Sequence, residues 1–321
     1  MSLSSADSRV EVAESAVIVG ELWLGVGVRF AAGSVVRSHD AAVRLGHHAR
    51  IGAHATVWGD GSHPTSVGQG TVLGAGVTVL GARIGDLCQL GAGCVLLPGA
   101  WLGDGCVLAD GTLVPAGTVV PAGTVMSGRT PHAVRSASDA DGAPRWFPLT
   151  DLPLHRRVGR PVRVPVAVPP IDGHDAVRSD ADATQVVGDV ELGTGCVLGI
   201  AARLVAGEGG QIRLGSGVQA LEHALLRADG DEDLVIQDGA VVGPGVRITG
   251  ARIGARSVLE PGVVVEAGAH LGPGTLVRAG TRVPAGATYG PLAIVDGRPG
   301  RRIGTLHSGP SRPPWLLPAT S

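Results

Sequence analysis

Five histidines fall within one stretch of the chain, His39, His47, His48, His54 and His63. Imidazole titrates near neutrality, so it serves both as a general base and as a metal ligand. The spacing weighs against a metal centre. His47, His48 and His54 follow periodic aliphatic residues by two or three places, near corners where side chains face outward. His63 stands in a His63-Pro64-Thr65 segment. Packing or solvation is the first expectation for these histidines, with a general base or an alternative metal site behind it. A second set of residues suits binding: Arg37, His39, Trp58, His63, Glu208, Glu222 and Arg227 form a candidate pocket. Trp58 offers a flat apolar face and Arg227 a planar cation that suits carboxylates or stacking. Apolar walls with a few convergent polar groups are the usual make-up of a ligand site. The competing expectation is a filled, sealed interface with Arg227 paired to Glu222 or a neighbour. No residue is assigned as catalytic and no metal or cofactor is expected.

The four cysteines are Cys88, Cys94, Cys106 and Cys196, with no CxxC pair. The first three each lie two residues before a periodic aliphatic, where a small inward residue belongs. Cys88 and Cys106 are three hexads apart and should stack in adjacent turns of the chain. A buried small-hydrophobe role is expected, and a disulfide framework is not.

These residues are carried by elements that repeat every six positions. Ile84, Leu90, Leu96, Leu102, Leu108, Val114 and Val120 form an unbroken series, and Ile253, Leu259, Val265, Leu271, Val277 and Val283 form another. Period six fits neither the 3.6-residue helix nor simple strand alternation. It is the signature of a hexapeptide β-helix, in which each hexad supplies one short strand and one corner. Three hexads close a triangular coil, and coils stack at strand spacing, ~4.8 Å. Stacked aliphatic columns then replace a layered core. A narrow interior of this kind explains an aromatic content of only 2%.

A longer repeat, at an offset of 169, relates Leu45 to Leu214, Val57 to Leu226, Val67 to Ile236, Val79 to Ile248 and Ile84 to Ile253. The irregularities keep the same offset. Each copy has a nine-residue excursion, Trp58 to Ser66 and Arg227 to Val235. Each then has a step of five, Val79 to Ile84 and Ile248 to Ile253. The expected architecture is all-β, two left-handed parallel β-helices at 10–135 and 184–305. A Pro-rich linker, 136–183, joins them, and proline breaks helix and central strand alike. Parts of it could run extended along a β-helix, with Trp146 and Phe147 as pins. The Pro-rich tail, 306–321, is expected to be loosely ordered.

Composition narrows the partners. All 26 basic residues are arginine, against 28 acidic ones, for a net charge of −2. That balance argues against nucleic acid and anionic membrane as partners. No run of 18 apolar residues occurs, and the first residues lack the basic-then-apolar order of a secretory signal. A cytoplasmic location is the default expectation.

At its irregular features the sequence resembles the γ-class carbonic anhydrases. The first copy reads GELWLGVGVRFAAGSVVRSHD with HPTSVGQGTVLGAGVTVLGARIG, and the second GDVELGTGCVLGIAARLVAGE with GAVVGPGVRITGARIG. The closing pieces SGRTPHAVR and DGRPGRRI are similar to that family's exit. The resemblance implies the trimeric LpxA-like fold class and trimers with sites between subunits. It does not carry the family's zinc. The three ligand histidines of the family fall at Trp58, Ala75 and Leu80 in the first copy, and at Arg227, Pro244 and Thr249 in the second. A catalytic zinc needs three protein ligands and an open position, and these six residues are not usual ligands. The arginine of the family's LRGD run matches Arg37, with His39 at its aspartate and Asp40 beside it. Gly52 and Ala53 replace the glutamine and aspartate of its NIQDG run. In the second copy the matching residues are Ala206, Glu208, Leu221 and Glu222.

Three functions are therefore expected in turn. The first is a zinc-free γ-carbonic-anhydrase-like module for ligand binding, assembly or metal-independent catalysis. The second is a hexapeptide-repeat acyltransferase with a coenzyme A-type donor, where His63, His54 or His223 serves as base and Arg301 or Arg302 meets phosphate. The third is a structural scaffold. A homo-oligomer through β-helix faces and a small organic ligand are the expected partners.

Overall fold

The computed structural model describes residues 10–128, 132–136, 162–165, 177–179, 184–230 and 232–316. The chain divides into two compact units, 1–170 and 171–321. Each is a left-handed parallel β-helix with its own core. The expected linker pins Trp146 and Phe147 lie outside the described residues.

In the first unit three parallel sheets form the prism walls. Their strands are mostly two residues long, because a corner follows every hexad. Strand register fixes one inward column per wall. The first column runs Phe30, Ile51, Leu73, Leu90, Leu108 and Met126. The second runs Ile18, Val36, Val57, Val79, Leu96 and Val114. The third runs Leu24, Leu45, Val67, Ile84, Leu102 and Val120. These side chains make one continuous apolar cluster. Phe30, 3% exposed, shows that one aromatic does enter the column. It sits on the second rung from the prism end, over Val12, where the stack is short.

The second unit repeats the arrangement. Its columns are Leu198, Ala220, Val242, Leu259, Val277 and Val295; Leu204, Leu226, Ile248, Val265 and Val283; and Leu192, Leu214, Ile236, Ile253, Leu271 and Tyr289. Coil lengths follow from the last column of each unit. In the first unit the coil from Leu45 to Val67 is long, that from Val67 to Ile84 is short, and those on to Leu102 and Val120 are regular. From Leu214 the second unit repeats the same four spacings through Ile236, Ile253, Leu271 and Tyr289. The coil before these differs, since Leu24 to Leu45 is one residue shorter than Leu192 to Leu214. The constant offset between the two copies therefore holds only from Leu45 onward.

The corners are tied by side-chain acceptors one coil away. Asp86, Asp104 and Asp110 each accept the backbone N–H of a residue in the preceding coil: Gln69 (2.7 Å), Asp86 (2.8 Å) and Ala92 (2.8 Å). Asp238 does the same for Ser216 at 2.8 Å. A turn N–H has no strand partner, so a carboxylate there satisfies a donor that would otherwise cost free energy. At some corners a side chain stands in the left-handed conformation and folds over a glycine beneath it. His48 (φ 58°) lies over Gly27, where a Cβ would meet its Nδ1 at 2.4 Å.

The edges of the units bear on two expectations. Part of the linker does run along a β-helix: Val162–Pro165 pairs antiparallel with Glu21–Leu24. The tail is more fixed than its proline content implied, for Trp315 is only 3% exposed and the Leu306 N–H donates to Leu292 O at 2.8 Å.

Candidate functional site

Two strands of the first unit, Val35–His39 and Thr56–Asp60, are five residues long and pair over their full length. The extra length extends the wall past the usual corner. Register places Arg37 beside Trp58 and His39 beside Asp60, with Leu80 the next rung after Trp58. Trp58, Leu80 and Arg37 are buried. His39 is exposed, and its Nε2 lies 3.2 Å from Asp40 Oδ2.

Beyond Asp60 the chain leaves the prism. Asp60 Oδ1 accepts the N–H of Ser62 at 2.9 Å and of His63 at 2.5 Å. Its own N–H donates to His63 O at 3.1 Å. The loop is closed at its base by the Thr65 hydroxyl, which donates to Trp58 O at 2.5 Å. This turn holds the His63 imidazole against Asp60, with Nδ1 3.5 Å from Oδ1 and the side chain one-third exposed. The carboxylate thus lies on the Nδ1 side of the ring, within ion-pair range but without a hydrogen bond to it. Four sequence candidates, Arg37, His39, Trp58 and His63, are thus gathered on two adjacent strands and the loop that leaves them.

Sequence reasoning missed Asp60. Its signal was present in Gly59-Asp60-Gly61-Ser62, because an aspartate among glycines that bonds backbone N–H groups two and three residues on is a turn former. The turn is what brings the carboxylate to the histidine.

In the second unit the equivalent loop carries other chemistry. Arg227 forms an ion pair with Asp229, not with Glu222. Asp229 and Glu232 are joined by an isolated β-bridge and occupy the stations of Asp60 and His63. Glu208 O accepts the N–H of Gly230 at 3.1 Å, so Glu208 flanks this loop. Glu222 is buried, in the turn ahead of the strand Leu225–Ala228. Strand register corrects one assignment. Val205 pairs with Arg227 as Arg37 pairs with Trp58, so the counterpart of Arg37 is Val205 and not Ala206. The cause is the additional residue between Leu204 and Leu214.

The other histidines divide. His47 Nδ1 accepts the Val26 N–H at 2.9 Å, a structural role. Burial, with His47, Arg50 and Arg29 nearby, pushes the His48 imidazole below its ordinary range. His54 and His223 occupy equal stations in the two units, both at left-handed corners (φ 56° and 57°). Arg301 and Arg302 are exposed on the final strand, Gly300–Thr305, where Arg302 bonds the Thr305 hydroxyl. The cysteines are buried as expected. Their thiols donate to corner carbonyls: Cys88 to Gly103 (3.2 Å), Cys94 to Ala109 (3.1 Å), Cys106 to Pro121 (3.1 Å) and Cys196 to Gly215 (3.1 Å).

Among the described residues no group of three or more His, Cys, Asp or Glu is placed to hold a metal ion. Trp58 and Leu80 pair on adjacent rungs of one wall in the first unit, and Arg227 and Thr249 do the same in the second. An open groove of about 560 Å³ in the second unit is lined by Glu191, Arg213, Val235, Gln237 and Asp238 among others. The Glu191–Arg213 ion pair, 3.3 Å, crosses part of it.

The sequence of coils agrees with known repeats. Residues 42–81, 81–120 and 249–279 match the family model described as hexapeptide repeat of succinyl-transferase. The first of these segments contains the Asp60–His63 loop. Similar solved structures include a hexapeptide transferase family protein from Anaplasma phagocytophilum, 22% identical over 41% of this chain and 82% of that one, TM-score 0.29. The acetyltransferase domain of PglB from Neisseria gonorrhoeae is 17% identical over 39% of this chain and 57% of that one, TM-score 0.28. LpxA, a UDP-N-acetylglucosamine acyltransferase from Bacteroides fragilis, is 10% identical over 82% of this chain and 70% of that one, TM-score 0.18. The chain is an all-β parallel β-helix protein that carries hexapeptide repeats.

Proposed function

We propose that this chain is an acyltransferase using a coenzyme A-type donor, with His63 as general base and Asp60 as the carboxylate that orients it. The observation that carries the reading is the His63 imidazole held beside Asp60 on a loop that leaves the prism. Its segment matches the hexapeptide repeat of succinyl-transferase. In the reaction, His63 Nε2 takes the proton of an acceptor hydroxyl or amine while that oxygen or nitrogen attacks the thioester carbonyl carbon. The tetrahedral intermediate then collapses with cleavage of the C–S bond, and the thiolate leaves with the proton from His63. A positioned base of this kind contributes about 10²–10⁴-fold. The test is thiol release from acetyl- or succinyl-coenzyme A in the presence of a panel of hydroxyl and amine acceptors. His63→Ala should lose that factor in kcat. Absence of any thermal protection by coenzyme A would count heavily against the reading.

The second reading is a zinc-free γ-carbonic-anhydrase-like protein that binds a small organic ligand or serves in assembly, without transfer chemistry. It is supported by the paired irregularities, which keep the same coil lengths in both units while the six ligand stations hold other residues. Stoichiometric zinc in protein purified without added metal, together with carbon dioxide hydration, would overturn it. Under either reading a homo-oligomer is expected, and a strictly monomeric mass by light scattering would contradict that.

A further inference from the structure

We propose that Gly81 is a positioning residue for His63, the seat that fixes where the loop presents its imidazole. The excursion lengthens the coil from Leu45 to Val67, and the next coil, from Val67 to Ile84, is shortened. The shortened step lies beside the excursion, and Gly81 is in that step. Gly81 stands in the left-handed region (φ 56°), and a Cβ built on it would meet His63 Cβ at 2.4 Å and His63 O at 3.1 Å. Real Cβ atoms do not approach so closely, so one side must move. Gly81 is not free to move. Its N–H donates to Trp58 O at 2.8 Å, and its own carbonyl accepts the Gly99 N–H at 2.8 Å. It is pinned between the coil before and the coil after, so His63 must give way.

The second unit holds the same construction. Gly250 (φ 38°) donates to Arg227 O at 2.9 Å, and its carbonyl accepts the Gly268 N–H at 2.6 Å. A Cβ there would meet Glu232 Cβ at 2.6 Å. Because the nearest contact in both units is with Cβ, the seat suits any residue that has one at the apex. It sets the place of that residue, and the residue's identity sets the chemistry: an imidazole in the first unit and a carboxylate in the second. The missing residue of one coil and the added residues of the coil before it are therefore one device.

The catalytic consequence rests on the acyltransferase reading, while the geometric one does not. Both are tested in the full chain with Gly81→Ala and Gly81→Asn. Asparagine tolerates the left-handed backbone, so it isolates the collision from backbone strain. Gly250→Ala is the control, with a like backbone change in the other unit. Both Gly81 variants should move the His63 ring resonances in NMR spectra, and Gly250→Ala should not. If the wild type transfers acyl groups, kcat should fall about 100-fold for a displacement on the order of 1 Å, with KM little changed. Should Gly81→Asn fold poorly, adding His63→Gly should raise its melting temperature, because the colliding Cβ is gone. Unmoved His63 resonances in a folded Gly81 variant, or no rescue by His63→Gly, would overturn the proposal. A wild type without transferase activity would sink the functional reading alone, and the NMR and melting measurements would still decide the seat.

Discussion

His63 and His48 show how the same side chain takes different roles a short way apart in the chain. His63 sits on a loop with Asp60 beside it, whereas His48 lies across a corner glycine with arginines near it. The His48 pKa is lowered from 6.5, chiefly by burial. A folded-state pKa below the unfolded one means that the unfolded chain binds more protons as pH falls. The contribution is therefore complete above about 6.5 and is lost as pH drops toward the folded value. His48→Asn, which keeps the left-handed corner, should reduce the acid loss of melting temperature below that pH; an unchanged acid limb would refute the assignment. Glu260 has the opposite sign, since burial raises its pKa from 4.5. Its charge costs stability as pH rises through the folded value, so Glu260→Gln should gain on the wild type between pH 4 and pH 7 in parallel melts. Burial also pushes the Cys94 thiol up to about 11. In the native protein Cys94 should ignore a thiol reagent at neutral pH and react only on unfolding, and rapid native labelling would contradict its burial.

Single rungs are short, and their stability comes from stacking. A strand of two residues has no independent existence, because an isolated pair is marginal even in a full hairpin. Each rung instead adds one aliphatic side chain to a column and one set of ladder bonds to the coils on either side. Leu96 is fully buried between Val79 and Val114. Leu96→Ala should cost about 2–5 kcal/mol in denaturant unfolding, while the neighbouring exposed Trp101→Ala should cost far less. Equal losses would mean that the column is not the source of stability. The excursion is an element of another kind. It gains no inward residue, and it is held by Asp60, Thr65 and the glycine beneath it.

At the scale of the molecule, two cores exist, one in each compact unit. In a solenoid each coil touches only its neighbours, so stability sums over adjacent coils. Produced separately, 1–170 and 171–321 should each give a β-rich circular dichroism spectrum and a cooperative melt. A half that stays unfolded on its own would show that its core is not self-sufficient. The coil lengths of the two units match closely but not throughout, since one coil of the second unit carries a residue more than its counterpart.

The hexad series from Ile84 to Val120 and the matched irregularities by themselves determined the winding, the inward columns and the buried thiols. They could do so because every coil repeats the same local rule, an aliphatic residue turned inward and a small or polar one at the corner. What that rule does not contain is where a departure from it points. Only the folded chain brought Asp60 under His63, set Gly81 beneath the loop, gave Arg227 to Asp229 and moved the counterpart of Arg37 to Val205. The seat and the shifted counterpart depend on contacts between successive coils, which the chain reaches only after a full circuit of the prism. The two carboxylate pairings depend on how each loop turns back on itself. Strand register then governs the correspondence between the units, and one added residue shifts it by a full place.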